Sequence, residues 1–275
     1  MINLSSILPP LTPKTYPKVG LCIYCDSTLN LTDEHIIPYG IGGTWKIPDA
    51  SCKSCAKITT SFERTCQRII LGPLRMYYDM PTRRPQERPE TLPLKVKLTS
   101  ESDWSYIPIE RESYPFLVLF PHYDLPLVLS DLPQEGRLDS ATKKFWIRGA
   151  FFERDMNRYL QGVVDRFKIA AVMPEAKFQT HEFSLLLSKI AHCFACAELG
   201  LNGFKPFLKK IITNQDTTKS KLYVGDLTKA EAPQQSMHEV SFYSEHTNRP
   251  DLIVVRIRLF AKLETPTYFV VVGEK

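Results

Sequence analysis

Two Cys-x-x-Cys pairs, Cys22-Ile-Tyr-Cys25 and Cys52-Lys-Ser-Cys55, constrain this chain more than any other feature. Each pair presents two soft thiolates from one tight turn, and two such turns face to face make the tetrahedral donor set that zinc takes in closed structural sites. The chain has 275 residues and seven cysteines. An odd cysteine count, with a proline-rich N-terminus lacking the pattern of a secretory leader, fits a reducing compartment better than a disulfide framework. Metal binding and a cytoplasmic location are therefore expected. Cys66 falls on an apolar helical stripe, and His192, Cys193 and Cys196 fall in a strongly apolar run, where cysteine packs as a small hydrophobe. The 26 residues between the pairs exceed the roughly 15 to 20 of a plain zinc ribbon, so a further element must be inserted between the two turns.

Residues 19–75 read as a compact module of turn, hairpin, glycine-rich loop, second turn and helix. The spacing of Ile58, Phe62, Cys66 and Ile69 predicts a helix over about 54–71, interrupted by Gly72-Pro73. A proline-rich leader (1–18) precedes the module and a basic proline-rich linker (76–91) comes after it. Residues 92–275 read as a larger α+β domain. Short strands are expected at Leu94–Leu98, Tyr106–Ile109, Phe116–Phe120, Leu125–Leu129, Phe145–Gly149, Leu222–Val224 and Val240–Tyr243, with a hairpin of Leu252–Ala261 and Tyr268–Val272. Helices are expected at Arg154–Phe167 and Glu182–Leu199, with a shorter one at Phe204–Ile212. No apolar run reaches the roughly 18 to 20 residues of a membrane span, so no membrane partner is expected.

The insert between the cysteine pairs contains Asp33-Glu34-His35-Ile36-Ile37-Pro38 and then Gly42-Gly43. Taken in order, CxxC, Glu-His-Ile-Ile-Pro, Gly-Gly, CxxC and helix, the stretch 20–65 resembles the zinc-containing HNH endonucleases, in the branch with a Glu-His-Ile-Ile-Pro signature. Lys189-Ile-Ala-His192 and Val270-Val-Val-Gly273 are faintly similar to C-terminal regions of that branch. The resemblance implies an N-terminal ββα-metal zinc module, and with the strand and helix pattern of residues 92–275 the expected fold class is α+β, the larger domain having mostly antiparallel strands. It implies metal-dependent hydrolysis of DNA phosphodiester bonds. His35 would be the general base, and Glu34 would hold a catalytic Mg²⁺ or Mn²⁺. Cys22, Cys25, Cys52 and Cys55 would hold a structural zinc.

The chain departs from the family pattern at two places. Ala56 stands where a helix-borne Asn or His ligand is common, and the middle Asn is replaced by the Ile47–Ser51 stretch. Thr60 and Glu63 lie one and two turns further along the same helix face, and of the two Glu63 has the harder donor for a divalent ion. Asp33 reads as a turn or neighbouring carboxylate, with the alternative that it, and not Glu34, meets the metal. Asp49 or a backbone carbonyl is the candidate to orient the His35 ring.

The formal charge of +5 is concentrated. Between residues 51 and 89, eight cations (Lys53, Lys57, Arg64, Arg68, Arg75, Arg83, Arg84 and Arg88) face three acids, which accounts for the whole excess. Such a local surplus suits a polyanion. Lys53, Lys57, Arg64, Arg68, Arg83 and Arg84 are the expected phosphate contacts, and DNA is the expected partner. The larger domain would select substrate or mediate assembly, as a homo-oligomer or with a partner. From another class, a catalytically inactive zinc-dependent nucleic-acid-binding or regulatory protein would explain Ala56 and the absent Asn. RNA is a further substrate to be tested.

Overall fold

The computed structural model describes residues 11–115, 118–129, 156–173, 175, 179–226, 231–232, 234–245, 249–263 and 265–275. Near the N-terminus β1 (Lys14–Thr15), β2 (Leu31–His35) and β3 (Trp45–Cys52) form one sheet in the order β1-β3-β2, with β2 antiparallel and β1 parallel to β3. Helix α1 (Lys53–Thr65) continues directly from β3 and runs through a π turn (Cys66–Ile70) into α2 (Gly72–Tyr77). Pro73 sits in the first turn of α2, where its missing N–H costs nothing.

The π turn, closed by Leu71 N–H donating to Cys66 O (2.9 Å), corrects one detail of the sequence pattern. A π turn inserts one extra residue into the helix and rotates the residues beyond it. Ile70 is therefore fully buried and Ile69 only half-buried.

The C-terminal region contributes two antiparallel sheets. In one, β4 (Thr91–Lys97) lies between β5 (Ser105–Glu110) and β6 (Ala171–Met173). In the other, β7 (Lys205–Pro206), β11 (Tyr268–Glu274), β10 (Leu252–Leu259) and β9 (His238–Tyr243) stand in that order, and β8 (Val224–Asp226) also pairs with β11. The helices are α3 (Met156–Phe167), α4 (Thr180–Leu199), α5 (Lys209–Thr213) and α6 (Thr217–Tyr223).

Two expected strands are corrected. Leu125–Leu129 holds a short 3-10 helix at Leu127–Leu129, and Leu222–Tyr223 ends α6 before β8 begins. Both segments are apolar runs too short for period to separate strand from helix. The expected strand Phe145–Gly149, and Phe116–Leu117 of another, lie outside the described residues.

Helix α4 explains how the parts meet. Every residue from Phe183 to Cys196 is buried, as expected for a helix that is apolar all round. It packs on α1 on one side and on β10 and β11 on the other. One continuous buried cluster joins Ile23, Ile36, Ile37 and Phe62 to Phe183, Leu186, Val255 and Val270. The leader also adds to this body. Besides pairing β1 with β3, it places the Tyr16 hydroxyl 2.5 Å from Glu198 and Lys14 Nζ 2.8 Å from the same carboxylate. Among the described residues no helix is long and apolar enough to cross a membrane.

Candidate active site and metal centre

The four cysteines converge. Their sulfurs lie within 4.8 Å of one another, with Cys22, Cys52 and Cys55 buried and Cys25 at the surface. Local geometry produces this. The first turn closes through Asp26 N–H to Cys22 O (2.9 Å), with Asp26 in the left-handed region (φ 61°). The second turn is the start of α1, where Cys52 is the N-cap and its sulfur accepts from Cys55 N–H at 3.5 Å. Cys25 Sγ and Cys52 Sγ are 3.6 Å apart, close to the roughly 3.8 Å edge that zinc–sulfur bonds of about 2.3 Å impose on a tetrahedron.

The electrostatics point the same way. Burial pushes the Cys52 thiol up, but the Ser54 hydroxyl and the Cys55 N–H outweigh it and hold the thiol at about 6. Burial, and then the neighbouring cysteines, push the Cys55 thiol up, because clustered thiolates repel until a cation is shared. The donor set can hold a metal ion of the soft, tetrahedral kind.

The hairpin carries Glu34 and His35 at the end of β2. Its register shifts by two residues: Thr32 pairs with Ser51, whereas Glu34 pairs with Ile47. Pro48, Asp49 and Ala50 stand where Asp33 alone stands on β2, with Asp49 in the left-handed region (φ 47°). Bulges of this kind re-aim neighbouring side chains. The bulge carbonyls are not spare: Pro48 O, Asp49 O and Ala50 O accept from Val19, Gly20 and Ile23 N–H. Asp49 pairs with Lys18 at 2.6 Å, and Asp33 with Lys46 at 3.3 Å.

After Pro38 the chain turns tightly. A Cβ on Gly43 would stand 1.9 Å from Ile37 O, and Gly42 is left-handed at φ 89°, so this turn requires glycine at both positions. Two distant side chains hold it in place. Arg75 Nε donates to Gly40 O (2.6 Å), and His238 Nε2 donates to Ile41 O (2.7 Å).

Glu63 projects from α1 towards Glu34, and between them lies Lys189 of α4. Lys189 Nζ is 2.7 Å from Glu34 Oε1 and 3.0 Å from Glu63 Oε1, with side-chain exposures of 1% for the lysine, 8% for Glu34 and 15% for Glu63. It also donates to His35 O in a short contact and to Ile36 O at 3.4 Å. Glu63 Oε1 meets the ammonium as an ion pair off the hydrogen-bonding direction, since it makes no well-angled hydrogen bond. Burial alone would lower the Lys189 pKa, but Glu34 and Glu63 overcome it and raise the pKa. Burial, together with the neighbouring Glu34, raises that of Glu63, against the pull of Lys189.

A catalytic Mg²⁺ or Mn²⁺ bridging Glu34 and Glu63 does not fit side chains arranged in this way. The ammonium already stands among the oxygens that would bind it.

His35 is half-buried, with its ring centroid 6.0 Å from that of Tyr39. Burial lowers its pKa first and the charge of Lys189 next; Glu34 pulls the other way, and Arg83 and Lys46 add smaller lowering effects. The neutral ring, a base, is therefore the favoured form. Thr60 is exposed on the helix surface, and Ala56 offers no donor.

Lys53, Lys57, Arg64, Arg68, Arg83 and Arg84 are all exposed. Arg83 is close enough to act electrostatically on both His35 and Glu63, whereas Arg84 pairs with Glu87 at 3.1 Å. Arg75 and Arg88, counted in the same basic stretch, are internal struts: Arg88 is bound to Asp79 and Met80 O.

Lys189, His192 and His238 were not expected at the site. His192 holds the first cysteine turn, with Nε2 2.8 Å from Ile23 O. The available signal was chemical: a lysine and a histidine inside an otherwise apolar helix must each find a partner.

Two comparisons were negative, since no curated protein and no solved structure matches the chain. Residues 22–67 match the family model described as HNH endonuclease. That span holds both cysteine pairs, the hairpin and α1. The similarity to HNH endonucleases is thus confined to residues 22–67, which carry the four clustered cysteines and the Glu34-His35 pair at the end of β2.

Proposed function

We propose that the protein is a nuclease that hydrolyses phosphodiester bonds of nucleic acid, DNA in the first instance, with His35 as general base. The observation that carries this reading is His35 itself, a half-buried histidine of lowered pKa in an HNH module, with Arg83 and Lys46 close enough to act on its ring. The imidazole takes a proton from water as the oxygen attacks phosphorus and the P–O3′ bond breaks. The leaving oxygen takes its proton from solvent.

Arg83 and Lys46 supply positive charge beside the scissile phosphate, and Lys53, Lys57, Arg64, Arg68 and Arg84 extend the contact along the backbone. Cys22, Cys25, Cys52 and Cys55 hold zinc, which pins the hairpin to α1 and takes no part in the proton transfers. Glu34, adjacent to the base, acts through Lys189 on the position of His35 rather than as a ligand.

Incubating zinc-loaded protein with supercoiled plasmid, and separately with labelled single-stranded RNA, tests the reading. His35→Ala should lower the nicking rate by about 10²-fold or more. Equal nicking by the two proteins would overturn the assignment. A second reading is favoured by Ala56 and by the ammonium between the two carboxylates: a zinc-dependent nucleic-acid-binding protein without cleavage. It predicts salt-dependent DNA binding by both proteins and nicking by neither.

A further inference from the structure

We propose that Lys189 is the resident cation of the Glu34–Glu63 pair, filling from the C-terminal region the position in which an HNH site takes a divalent ion. Four oxygens surround its Nζ: one from each carboxylate, at 2.7 and 3.0 Å, and the main-chain oxygens of His35 and Ile36. Two carboxylates with two carbonyls form a hard-oxygen set of the kind that binds Mg²⁺ or Mn²⁺. The two carboxylate oxygens and Ile36 O stand at 2.7, 3.0 and 3.4 Å from the ammonium, distances of an ammonium and its partners instead of the roughly 2.0 to 2.1 Å of a magnesium bond.

The lysine has no other place to put its charge. It lies on α4 with Leu185, Leu186, Ile190 and Cys193 around it, all buried, and an ammonium driven off the carboxylates would stay in this apolar shell. A divalent ion would have to displace it and then share two carboxylates with it. The charge at the site would pass from net −1 to net +1, with one cation stripped of its partners. The lysine also fixes the base: by holding His35 O it sets the end of β2 from which the ring projects, so Lys189 is a positioning residue for His35.

The inference rests on the HNH reading of residues 22–67 but not on cleavage, so its test reads metal occupancy. Full-length zinc-loaded protein is titrated with Mn²⁺, tracking the free-ion signal by electron paramagnetic resonance. Wild type should leave that signal undiminished and show the same Tm with and without Mn²⁺. Lys189→Met should have a lower Tm in manganese-free buffer, recover when Mn²⁺ is added, and bind one ion per chain. Lys189→Met combined with Glu63→Gln should lose that ion. Wild-type protein that binds one Mn²⁺, with the binding abolished by Glu63→Gln, would overturn the proposal. So would a Lys189→Met variant that is as stable as wild type in manganese-free buffer. If Lys189→Met does not fold, the wild-type and Glu63→Gln titrations decide the question alone. A chain that cleaves nothing but behaves in this way sinks the nuclease reading and leaves the lysine assignment standing.

Discussion

His238 is a histidine whose surroundings settle its proton. Phe260 N–H donates to Nδ1 (3.2 Å), so Nε2 must carry the hydrogen that reaches Ile41 O. Burial holds its pKa at about 4, and His192 is held at about 4 for the same reason. An unfolded chain protonates these rings near 6.5, so between 6.5 and about 4 it binds protons that the native state refuses. Stability is then highest above 6.5 and falls as the pH drops, by up to about 3 kcal/mol for each ring once the pH reaches 4. His238→Gln keeps a donor for Ile41 O but cannot titrate. Urea unfolding at pH 7 and at pH 4.5 should give a pH difference smaller by about 2 kcal/mol in the variant. An unchanged difference would show that His238 is not the group responsible. The apolar run around His192 marked it as buried, but the partner of neither histidine was legible from its neighbours in the chain, because those partners are 197 residues away for His238 and 169 for His192.

The hairpin and α1 form the unit in which sequence and structure agree most closely. The cysteine spacing predicts the cluster, and Glu-His-Ile-Ile-Pro with Gly-Gly predicts the strand end and the tight turn, because each is a local demand of ligand or backbone geometry. What escaped was the register shift at Pro48–Ala50. Which residue a strand leaves unpaired depends on what accepts its carbonyls, and here Val19, Gly20 and Ile23 do so. The Glu63 side chain was similarly ambiguous, since α1 has a solvent face and a core face and only packing against α4 selects between them. The four-cysteine cluster acts at this scale. Cys52→Ser removes a sulfur ligand and leaves a hydroxyl that can still cap α1, so its effect reports the loss of the ligand. It should abolish stoichiometric zinc, read by atomic emission, and lower the melting temperature by at least about 10 °C. Retention of one zinc per chain would argue against the four-cysteine site.

Over the whole molecule, α4 is shared property. Its buried residues complete the core beneath the hairpin and beneath β10 and β11 at once, and its Lys189 completes the site. A fragment of residues 11–79 would expose Ile36, Ile37 and Phe62 and leave Glu34 and Glu63 without their cation. With zinc supplied, it should show poorly dispersed amide resonances in NMR spectra, whereas the full chain gives dispersed ones. A well-dispersed fragment spectrum would mean that the module folds without α4.

By itself the sequence determined the four-cysteine cluster, the Glu34-His35 signature, the helix after the second cysteine pair and the basic surface. These depend on ligand spacing, backbone sterics and local charge, all written within a few tens of residues. Only the tertiary structure decided which cation sits between Glu34 and Glu63. The ammonium arrives from a helix far downstream of Glu63, and no local rule relates a buried lysine to the carboxylates it will meet. The free energy that places it there comes from burying α4 on both sides, and the ion pair forms because a charge carried into that core must find its opposite.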